Sequence, residues 1–437
     1  MRVAVTGGSG QLGTLVLRRL ADDRAVKEIV AIDLRPPLIV SGKIRSVAAD
    51  IRGPLPLEGC DALIHLAFLV AKRGARKLQD DVNVRGSANV FDAAVKAGVS
   101  RILYASSVAA YGVVPGLPVP VVEETPRTRQ PGFWYACAKF DVEAILDQLP
   151  ANVSVARFRP VILIGRRMEH QLGAAMRRGY FPEGGSMPVV WDEDVADAFL
   201  LALHNGASGA FNVAADEPLP ARELAKAAGL KHLDVPRGAL RAVEKIVSGF
   251  RLLPPADPGW LAKADFPLVY SSEKARRELG WKPRFPTARE VLAHWAETVP
   301  RKLDPRIAVF VRVVDRAARA EKRPELTGYD STVHLDLTGP GGGDFTIRAA
   351  DGIVRVTPGA PRPAQAAVTM KAATLLDLLA GRTDFAAANL AGRVRVEGQG
   401  LAGMLVAGMV EGFRAAGRKP GLRGLSARGL ARWMGGQ

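Results

Sequence analysis

The N-terminal half of the chain alternates short apolar runs with longer amphipathic stretches. The runs RVAVT, EIVAID, DALIHLAFLV and SRILYA are apolar at their centres, which is typical of buried parallel strands. The stretches QLGTLVLRRL and VNVRGSANVFDAAVKAG place apolar residues at helical spacing. This alternation of strands and helices predicts an α/β fold with a doubly wound parallel sheet.

The pattern changes near residue 300. The stretch VPRKLDP, residues 299–305, ends the α/β pattern, with Asp304 as a predicted helix N-cap and Pro305 at the first helical position. A helix is predicted over 305–322. Its apolar side consists of Ile307, Phe310, Val311, Val314 and Ala318.

An alternation of period two follows this helix. TVHLDLTG places Val333, Leu335 and Leu337 on one face of a strand, and FTIRAADGIVRVTPG predicts a hairpin that turns at Asp351-Gly352. The strand-like AAVTMKA precedes helical segments in AATLLDLLAGRTDFAAANLAG. We therefore expect a first domain over 1–300, a second α+β domain over 304–412, and a tail over 413–437.

Composition limits the class of protein only broadly. A chain of 437 residues predicts two or three domains. Only Cys60 and Cys137 are present, and no Cys/His cluster has metal-ligand spacing, so we expect neither disulfides nor a metal site. The chain begins with a predicted strand instead of a charged and apolar leader, and no apolar run reaches the roughly 20 residues that span a bilayer. We expect a cytoplasmic location.

The net charge of +16 predicts attraction to anionic surfaces. The tail over 413–437 has no acidic residue and interleaves its cations with Leu422, Leu425, Leu430 and Trp433. It is predicted either as a disordered basic tail or as a basic helix that lies on anionic lipid. We expect no nucleic-acid partner, because no aromatic platform or recognition motif accompanies the charge. The tail's basic residues are Arg414, Arg418, Lys419, Arg423, Arg428 and Arg432.

A glycine-rich turn joins the first predicted strand and helix. Gly7, Gly10 and Gly13 have the spacing G-x-x-G-x-x-G, which lets backbone N–H groups approach a pyrophosphate at a helix N-terminus. Asp33 ends the next strand, twenty residues after Gly13, where an acidic residue meets an adenosine ribose diol. A carboxylate there repels a 2′-phosphate and favours NAD, although Arg35 leaves NADP open.

A Tyr and a Lys lie four residues apart in FWYACAKFDVE. On a helix, Tyr135 and Lys139 share one face, so the phenol and the ammonium can reach one pocket. A cation beside a phenol lowers its pKa and suits it to general acid or base catalysis. Ser106 and Ser107 follow the strand SRILYA, at the sheet edge where doubly wound folds bind ligands.

These motifs occur in an order that resembles the extended short-chain dehydrogenase/reductase family, which includes nucleotide-sugar epimerases and 3β-hydroxysteroid dehydrogenases. The resemblance covers residues 1 to about 298, with substrate-lobe segments mainly within 166–298. The matching stretches are TGGSGQLG, AADI, HLA, NVRGSANV, SSVAAYG, YACAK, RPVILIG, DEDVADA, FNVA and ARRELGWKPRF.

The resemblance implies a catalytic trio of Ser107, Tyr135 and Lys139. Tyr135 would exchange a proton with the substrate oxygen, Ser107 would hydrogen-bond the same oxygen, and Lys139 would bond the nicotinamide ribose. Asp50 and Ile51 would flank the adenine. The implied cofactor-binding residues are Gly7, Gly10, Gln11, Leu12, Gly13, Asp33, Arg35, Asp50, Ile51, Leu66, Ala67, Asn83, Tyr135, Lys139 and Pro160.

The second predicted domain resembles the sterol carrier protein type 2 family over roughly 325–412. The stretches HLDLTGPGGGDFTIRAADGIVRVTPG and LLDLLAGRTDFAAANLAGRVRVEGQG carry the resemblance. It implies an apolar tunnel for an acyl chain, acyl-CoA or a sterol.

The combination favours an NAD(P)-dependent oxidoreductase that acts on a hydrophobic alcohol or ketone, such as a 3-hydroxysteroid, a sterol or a fatty-acyl derivative. Ile162 lies near the position where epimerases commonly have an Asn that bonds nucleotide-sugar phosphates. A nucleotide-sugar substrate would therefore lack a polar anchor at this position. Two alternatives stay open: a nucleotide-sugar epimerase or dehydratase, and a lipid carrier whose reductase half senses NAD. A homodimer is also left open.

Overall fold

The computed structural model describes residues 1–70, 76–114, 116–168, 170–182, 185–233, 268–299, 302–320, 324–326, 328–360, 364–398 and 401–418. The chain forms two compact units, Met1–Pro37 with Lys43–Ala296, and Leu38–Gly42 with Glu297–Gln437. This division differs from the predicted first domain, 1–300, in two places, because Leu38–Gly42 belongs to the second unit and the first unit ends at Ala296. The predicted tail, 413–437, begins within the last described helix, and its residues from 419 lie outside the described part.

Seven parallel strands form the central sheet of the first unit. They pair in the order Gly209–Val213, Ser154–Pro160, Arg101–Ala105, Ala62–His65, Arg2–Thr6, Glu28–Asp33, Ile44–Ala48. From its first strand the chain moves to one edge, then returns beside that strand and proceeds to the other edge. This confirms the doubly wound sheet, and its order reverses beside Arg2–Thr6, where such folds bind ligands.

Helices cover both faces of this sheet. Ala4 packs in one cluster with Phe91 and Val142, whereas Val3 and Val5 face the other side, because side chains alternate along a strand. A π-helical stretch, Asp81–Gly86, precedes the third helix, and a 3-10 turn spans Val108–Tyr111. The described helices are Gln11–Asp22, Arg76–Asp80, Ser87–Lys96, Trp134–Leu146, Gln171–Arg177, Asp192–Asn205, Ala221–Ala227, Glu273–Leu279 and Ala288–Thr298.

Short strand pairs lie outside the central sheet. Ile162–Ile164 pairs with Val189–Trp191 and Tyr180–Pro182 pairs with Lys231–Leu233, both in parallel. Ser186–Met187 pairs antiparallel with Leu219–Pro220. Most of these strands lie in the predicted substrate lobe, 166–298, of which residues 234–267 are outside the described part.

The second unit contains a five-stranded mixed sheet. Its strands pair in the order Ile353–Pro358, Gly343–Ala350, Asp330–Thr338, Ala366–Lys371, Val394–Gly398. The pairing of Asp330–Thr338 with Ala366–Lys371 is parallel, and the other pairings are antiparallel. The accompanying helices are Pro305–Ala320, Ala372–Ala380, Phe385–Leu390 and Ala402–Arg418, with a 3-10 turn at Pro324–Leu326.

The structure confirms the predicted α+β pattern of this unit. Val333, Leu335 and Leu337 are fully buried in the core beneath the helix Pro305–Ala320. The hairpin turns at Asp351 and Gly352, whose φ values of 49° and 81° are those that a tight two-residue turn requires. Within the described residues, no helix is both long and apolar enough to cross a membrane.

Leu335→Ala should destabilise the second unit by about 2–5 kcal/mol, because it leaves a cavity in a buried apolar core. Leu390 is 90% exposed, so Leu390→Ala is the matched control and should change stability by less than about 0.5 kcal/mol. Urea unfolding of the two variants makes the comparison. Equal effects would contradict the assignment of Leu335 to this core.

Candidate active site

The glycine-rich turn leaves no room for side chains. Gly7 has φ +73°, and a Cβ added there would lie 2.6 Å from the backbone nitrogen of Ala67. A Cβ on Gly13 would lie 2.1 Å from the carbonyl oxygen of Gly7. Gly10 caps the helix Gln11–Asp22 without a side-chain hydrogen bond. The turn thus presents bare backbone at a helix N-terminus, a surface that fits a pyrophosphate.

Asp33 closes the other side of this turn. Its Oδ2 accepts a hydrogen bond from the Ser9 backbone nitrogen at 3.0 Å, and its Oδ1 accepts one from the Arg35 backbone nitrogen at 3.2 Å. Asp33 ends its strand, as predicted, and its carboxylate is half-buried beside the turn. This placement fits a ribose diol that would donate to the carboxylate.

Three other predicted cofactor residues also surround the turn. The backbone nitrogen of Leu66 donates to the carbonyl oxygen of Thr6, and Ala67 lies against Gly7. Leu12 is half-buried in the first turn of the helix that follows Gly10. The structure therefore brings the strand-end segment and the glycine turn together.

The side chain of Gln11 is directed elsewhere. Its Nε2 donates to Oδ2 of Asp192 at 2.8 Å, which joins the first residues of the helices Gln11–Asp22 and Asp192–Asn205. Burial raises the pKa of Asp192 to about 7, although the hydrogen bond from Gln11 opposes this. The side-chain amide of Gln11 thus links two helices. The backbone of Gln11 lies at the N-terminus of the helix Gln11–Asp22.

The predicted adenine pair separates into two environments. The Asp50 carboxylate is bonded by the backbone and guanidinium of Arg52, which hold the pKa of Asp50 below its usual value. Ile51 is buried in the core beneath the sheet, against Gly86. The Arg52 guanidinium also bridges to Asp81.

The Asn83 amide holds the segment after the strand Ala62–His65. Its Oδ1 accepts from the Leu69 backbone nitrogen at 2.7 Å, and its Nδ2 donates to the Leu69 carbonyl oxygen at 3.0 Å. These two bonds fix the segment that carries Phe68. Pro160, also predicted as a cofactor residue, is buried at the end of its strand.

Ser107 and Tyr135 come together at the carboxyl end of the sheet. Ser107 caps the 3-10 turn Val108–Tyr111, and its Oγ accepts from the Ala109 backbone nitrogen at 3.1 Å. Hydrogen bonding by the Ser107 side chain opposes the rise that burial causes in the pKa of Tyr135. The Tyr135 ring lies between Phe68, centroid 5.5 Å away, and Phe133, centroid 6.2 Å away.

Lys139 is buried one helical turn after Tyr135. Its Nζ donates to the Ala105 carbonyl oxygen at 2.6 Å and to the Tyr104 Oη at 3.3 Å. The Phe68 ring centroid lies 3.6 Å from the same nitrogen. Burial lowers the pKa of Lys139 to about 7, against the opposing effect of the Glu143 carboxylate.

The predicted effect of Lys139 on its neighbour is wrong for this structure. The sequence predicted that the ammonium lowers the pKa of Tyr135, whereas burial raises the pKa of Tyr135 and only the Ser107 hydrogen bond opposes that rise. The Lys139 Nζ lies 5.8 Å from the Tyr135 ring centroid. Burial also lowers the pKa of Lys139, so a smaller fraction of this side chain is protonated near neutral pH. Desolvation therefore outweighs the cation.

Glu143 is a residue of this site that the sequence analysis missed. It is fully buried and accepts hydrogen bonds from Ser106 Oγ at 2.5 Å and from Arg159 Nε and Nη2 at 2.9 and 2.6 Å. These bonds hold the pKa of Glu143 below its usual value despite its burial. Its position four residues after Lys139 was the available signal, because Tyr135, Lys139 and Glu143 continue one helix face.

The chain matches two protein families. Residues 3–214 match the NAD dependent epimerase/dehydratase family, and residues 310–410 match the SCP-2 sterol transfer family. The chain joins an NAD-dependent epimerase/dehydratase domain to an SCP-2 domain. Both resemblances predicted from the sequence are confirmed, and so is NAD as the cofactor of the first family.

Curated relatives match mainly at low identity. The Mycobacterium tuberculosis protein Rv0501, which is uncharacterised, is 24% identical over 304 residues and covers 65% of this chain and 81% of that protein. UDP-glucose 4-epimerase of Streptococcus mutans is 25% identical over an alignment of 359 residues, which covers 70% of this chain and 100% of that enzyme. The uncharacterised M. tuberculosis protein Rv2047c is 35% identical over an alignment of 111 residues, which covers 24% of this chain and 12% of that protein.

Solved structures share the fold of the first unit. The Bordetella bronchiseptica enzyme WbmG, crystallised with NAD, has a TM-score of 0.52 at 22% identity, over 68% of this chain and 93% of that one. A UDP-galactose 4-epimerase has a TM-score of 0.52 at 21% identity, over 68% and 98% of the two chains.

Gly13→Ala should abolish measurable NAD binding, because the new Cβ would overlap the Gly7 carbonyl group and displace the turn. Gly42→Ala is the matched control, since a Cβ at Gly42 meets nothing within 4 Å. Quenching of protein fluorescence by NAD measures binding, and circular dichroism verifies that both variants are folded. A folded Gly13→Ala variant with unchanged affinity would show that this turn does not hold the cofactor.

Proposed function

We propose that the protein is an NAD-dependent oxidoreductase that interconverts a hydroxyl and a ketone on a hydrophobic substrate such as a sterol, a steroid or an acyl lipid. The observation that carries this proposal is the presence of both families in one chain, the first described as NAD dependent and the second as sterol transfer. A carrier for insoluble molecules is useful to an oxidoreductase whose substrate is itself poorly soluble.

The surroundings of Tyr135 support an apolar substrate. Phe68 and Phe133 flank the phenol, and Tyr135 packs against a buried cluster that includes Ala109 and Ala136. Ile162, where the sequence analysis noted the loss of a polar anchor, begins a short strand. Rings and aliphatic groups near the reacting hydroxyl favour a hydrocarbon skeleton over a charged sugar nucleotide.

The trio has distinct tasks in the proposed reaction. The Tyr135 phenol takes up or returns the proton of the substrate oxygen, and the Ser107 hydroxyl orients that oxygen by hydrogen bonding. Lys139 holds the ribose next to the nicotinamide through its ammonium. Bound NAD supplies hydride transfer at the ring. Asp33 binds the adenosine ribose and selects NAD over NADP by repelling a 2′-phosphate.

A nucleotide-sugar epimerase is the second candidate. The observation that favours it is the similarity to the S. mutans UDP-glucose 4-epimerase along that enzyme's whole length. In this alternative the same Tyr135 and Lys139 would act on a sugar hydroxyl. The two proposals differ in the fate of the hydride, which leaves with NADH in a dehydrogenase and returns to the same substrate in an epimerase.

Tyr135→Phe should reduce turnover by about 10²–10⁴-fold while NAD affinity stays within a factor of about three, because the variant loses only the ionisable hydroxyl. Rates with a verified substrate and NAD titrations measure the two effects. Phe133→Leu is a control that alters the adjoining apolar contact and leaves the hydroxyl in place. A Tyr135→Phe enzyme of nearly full activity would refute the proposed acid/base role.

Ending the chain after about residue 300 should separate catalysis from lipid supply. The shortened chain should keep its rate on a short, soluble ketone but lose about tenfold or more on a sterol ketone at low concentration, because a tethered carrier raises the local substrate concentration. Circular dichroism and NAD binding verify that the shortened chain is folded. Equal rates on the sterol ketone for both chains would refute the link between the two domains.

A further inference from the structure

The ammonium of Lys139 has three N–H donors but only two oxygen partners within the described residues. The Ala105 carbonyl oxygen lies 2.6 Å from Nζ and the Tyr104 Oη lies 3.3 Å away. The Phe68 ring occupies a third side, with its centroid 3.6 Å from Nζ. This distance is well within the range of a cation–π contact, which extends to about 6 Å.

Other rings complete an enclosure around the ammonium. The Tyr104 ring centroid lies 4.9 Å from the Lys139 Nζ, and that of Tyr135 lies 5.8 Å away. Lys139 is 3% exposed, so the ammonium is almost removed from water. The stability of a buried cation in such an enclosure depends on the few groups that face it, because water no longer solvates the charge.

We propose that Phe68 is a positioning residue for Lys139: the face of its ring stabilises the ammonium through a cation–π contact, favours its charged form and fixes it beside Tyr135. Two bonds from Asn83 to the Leu69 backbone hold the segment that presents this ring. The ring is also edge-on to Tyr135, at 5.5 Å between centroids, so one side chain orients both catalytic groups.

The charged and titratable groups that face Lys139 are few among the described residues. Glu143 and Tyr135 come from its own helix, Tyr104 comes from the strand Arg101–Ala105, and His65 comes from the next strand. Burial lowers the pKa of His65 to about 3, so this ring is neutral at physiological pH. Glu143 is therefore the anion that favours the charged form of Lys139, and burial opposes it.

The titration of Lys139 distinguishes a π partner from a simple apolar cover. In Phe68→Leu the site stays apolar but loses the ring quadrupole, so the ammonium should lose its proton at a pH lower by roughly 0.5–1.5 units. In Phe68→Trp a stronger π face is present, and the midpoint should stay at or above that of the original chain. If Phe68 only excluded water, Leu would instead leave the midpoint unchanged or raise it.

The experiment follows the ¹⁵Nζ shift of Lys139 in the full chain, assigned by its absence in Lys139→Gln. Phe285→Leu is the control, because the Phe285 ring packs against Trp191 and His294, with centroids 5.8 and 4.1 Å away, and should leave Lys139 unchanged. An unchanged or raised midpoint in Phe68→Leu would overturn the proposal, as would equal downward shifts in Phe68→Leu and Phe68→Trp.

The pH dependence of NADH binding supplies a second measurement. This part rests on the proposed function, in which the charged Lys139 holds the cofactor ribose, so the binding midpoint should move with the Lys139 midpoint. A shifted lysine titration without NADH binding would retain the role of Phe68 and reject the proposed function. NADH binding with an unchanged lysine titration in Phe68→Leu would reject the role of Phe68 and retain the proposed function.

Discussion

The buried ion pair between Glu143 and Arg159 is the interaction on which the candidate site depends. Glu143 is fully buried, and its carboxylate receives two bonds from Arg159 and one from Ser106. The pair thereby joins the helix Trp134–Leu146 to the ends of two neighbouring strands. Arg127 adds a second cation to the same carboxylate, with its Nη1 3.2 Å from Oε2 of Glu143. Removing Glu143 would leave the buried Arg159 guanidinium without this anion, a change that typically costs about 3–5 kcal/mol. Tyr135 and Lys139 lie on the same helix face, so their positions follow from this attachment.

Desolvation is the second constraint, and it determines the protonation of the site. It raises the pKa of Tyr135 and lowers that of Lys139 to about 7. The charge of the ammonium is therefore lost as the pH rises through neutrality. A cofactor contact that needs this charge should weaken over the same range, which gives the site a pH dependence that neither side chain has in water.

The fold was predicted well because the sequence patterns that indicate strands, helices and turns involve residues that are close together along the chain. The strand runs, the glycine spacing and the Asp351-Gly352 turn each depend on neighbouring residues, and all appear in the structure. The roles of individual side chains were harder to predict. Gln11 and Asn83 bond to Asp192 and Leu69, and Phe68 covers Lys139, because these contacts form only when distant segments pack together.

The most direct test of the account is to incubate the intact chain with NAD and either a 3-hydroxysteroid or UDP-glucose, and to follow NADH by its near-ultraviolet absorbance while chromatography identifies the products. We predict that NADH accumulates over many turnovers with the hydrophobic alcohol and that UDP-glucose is unchanged. Conversion of UDP-glucose to its epimer without net NADH, and no reaction with the steroid, would contradict the account.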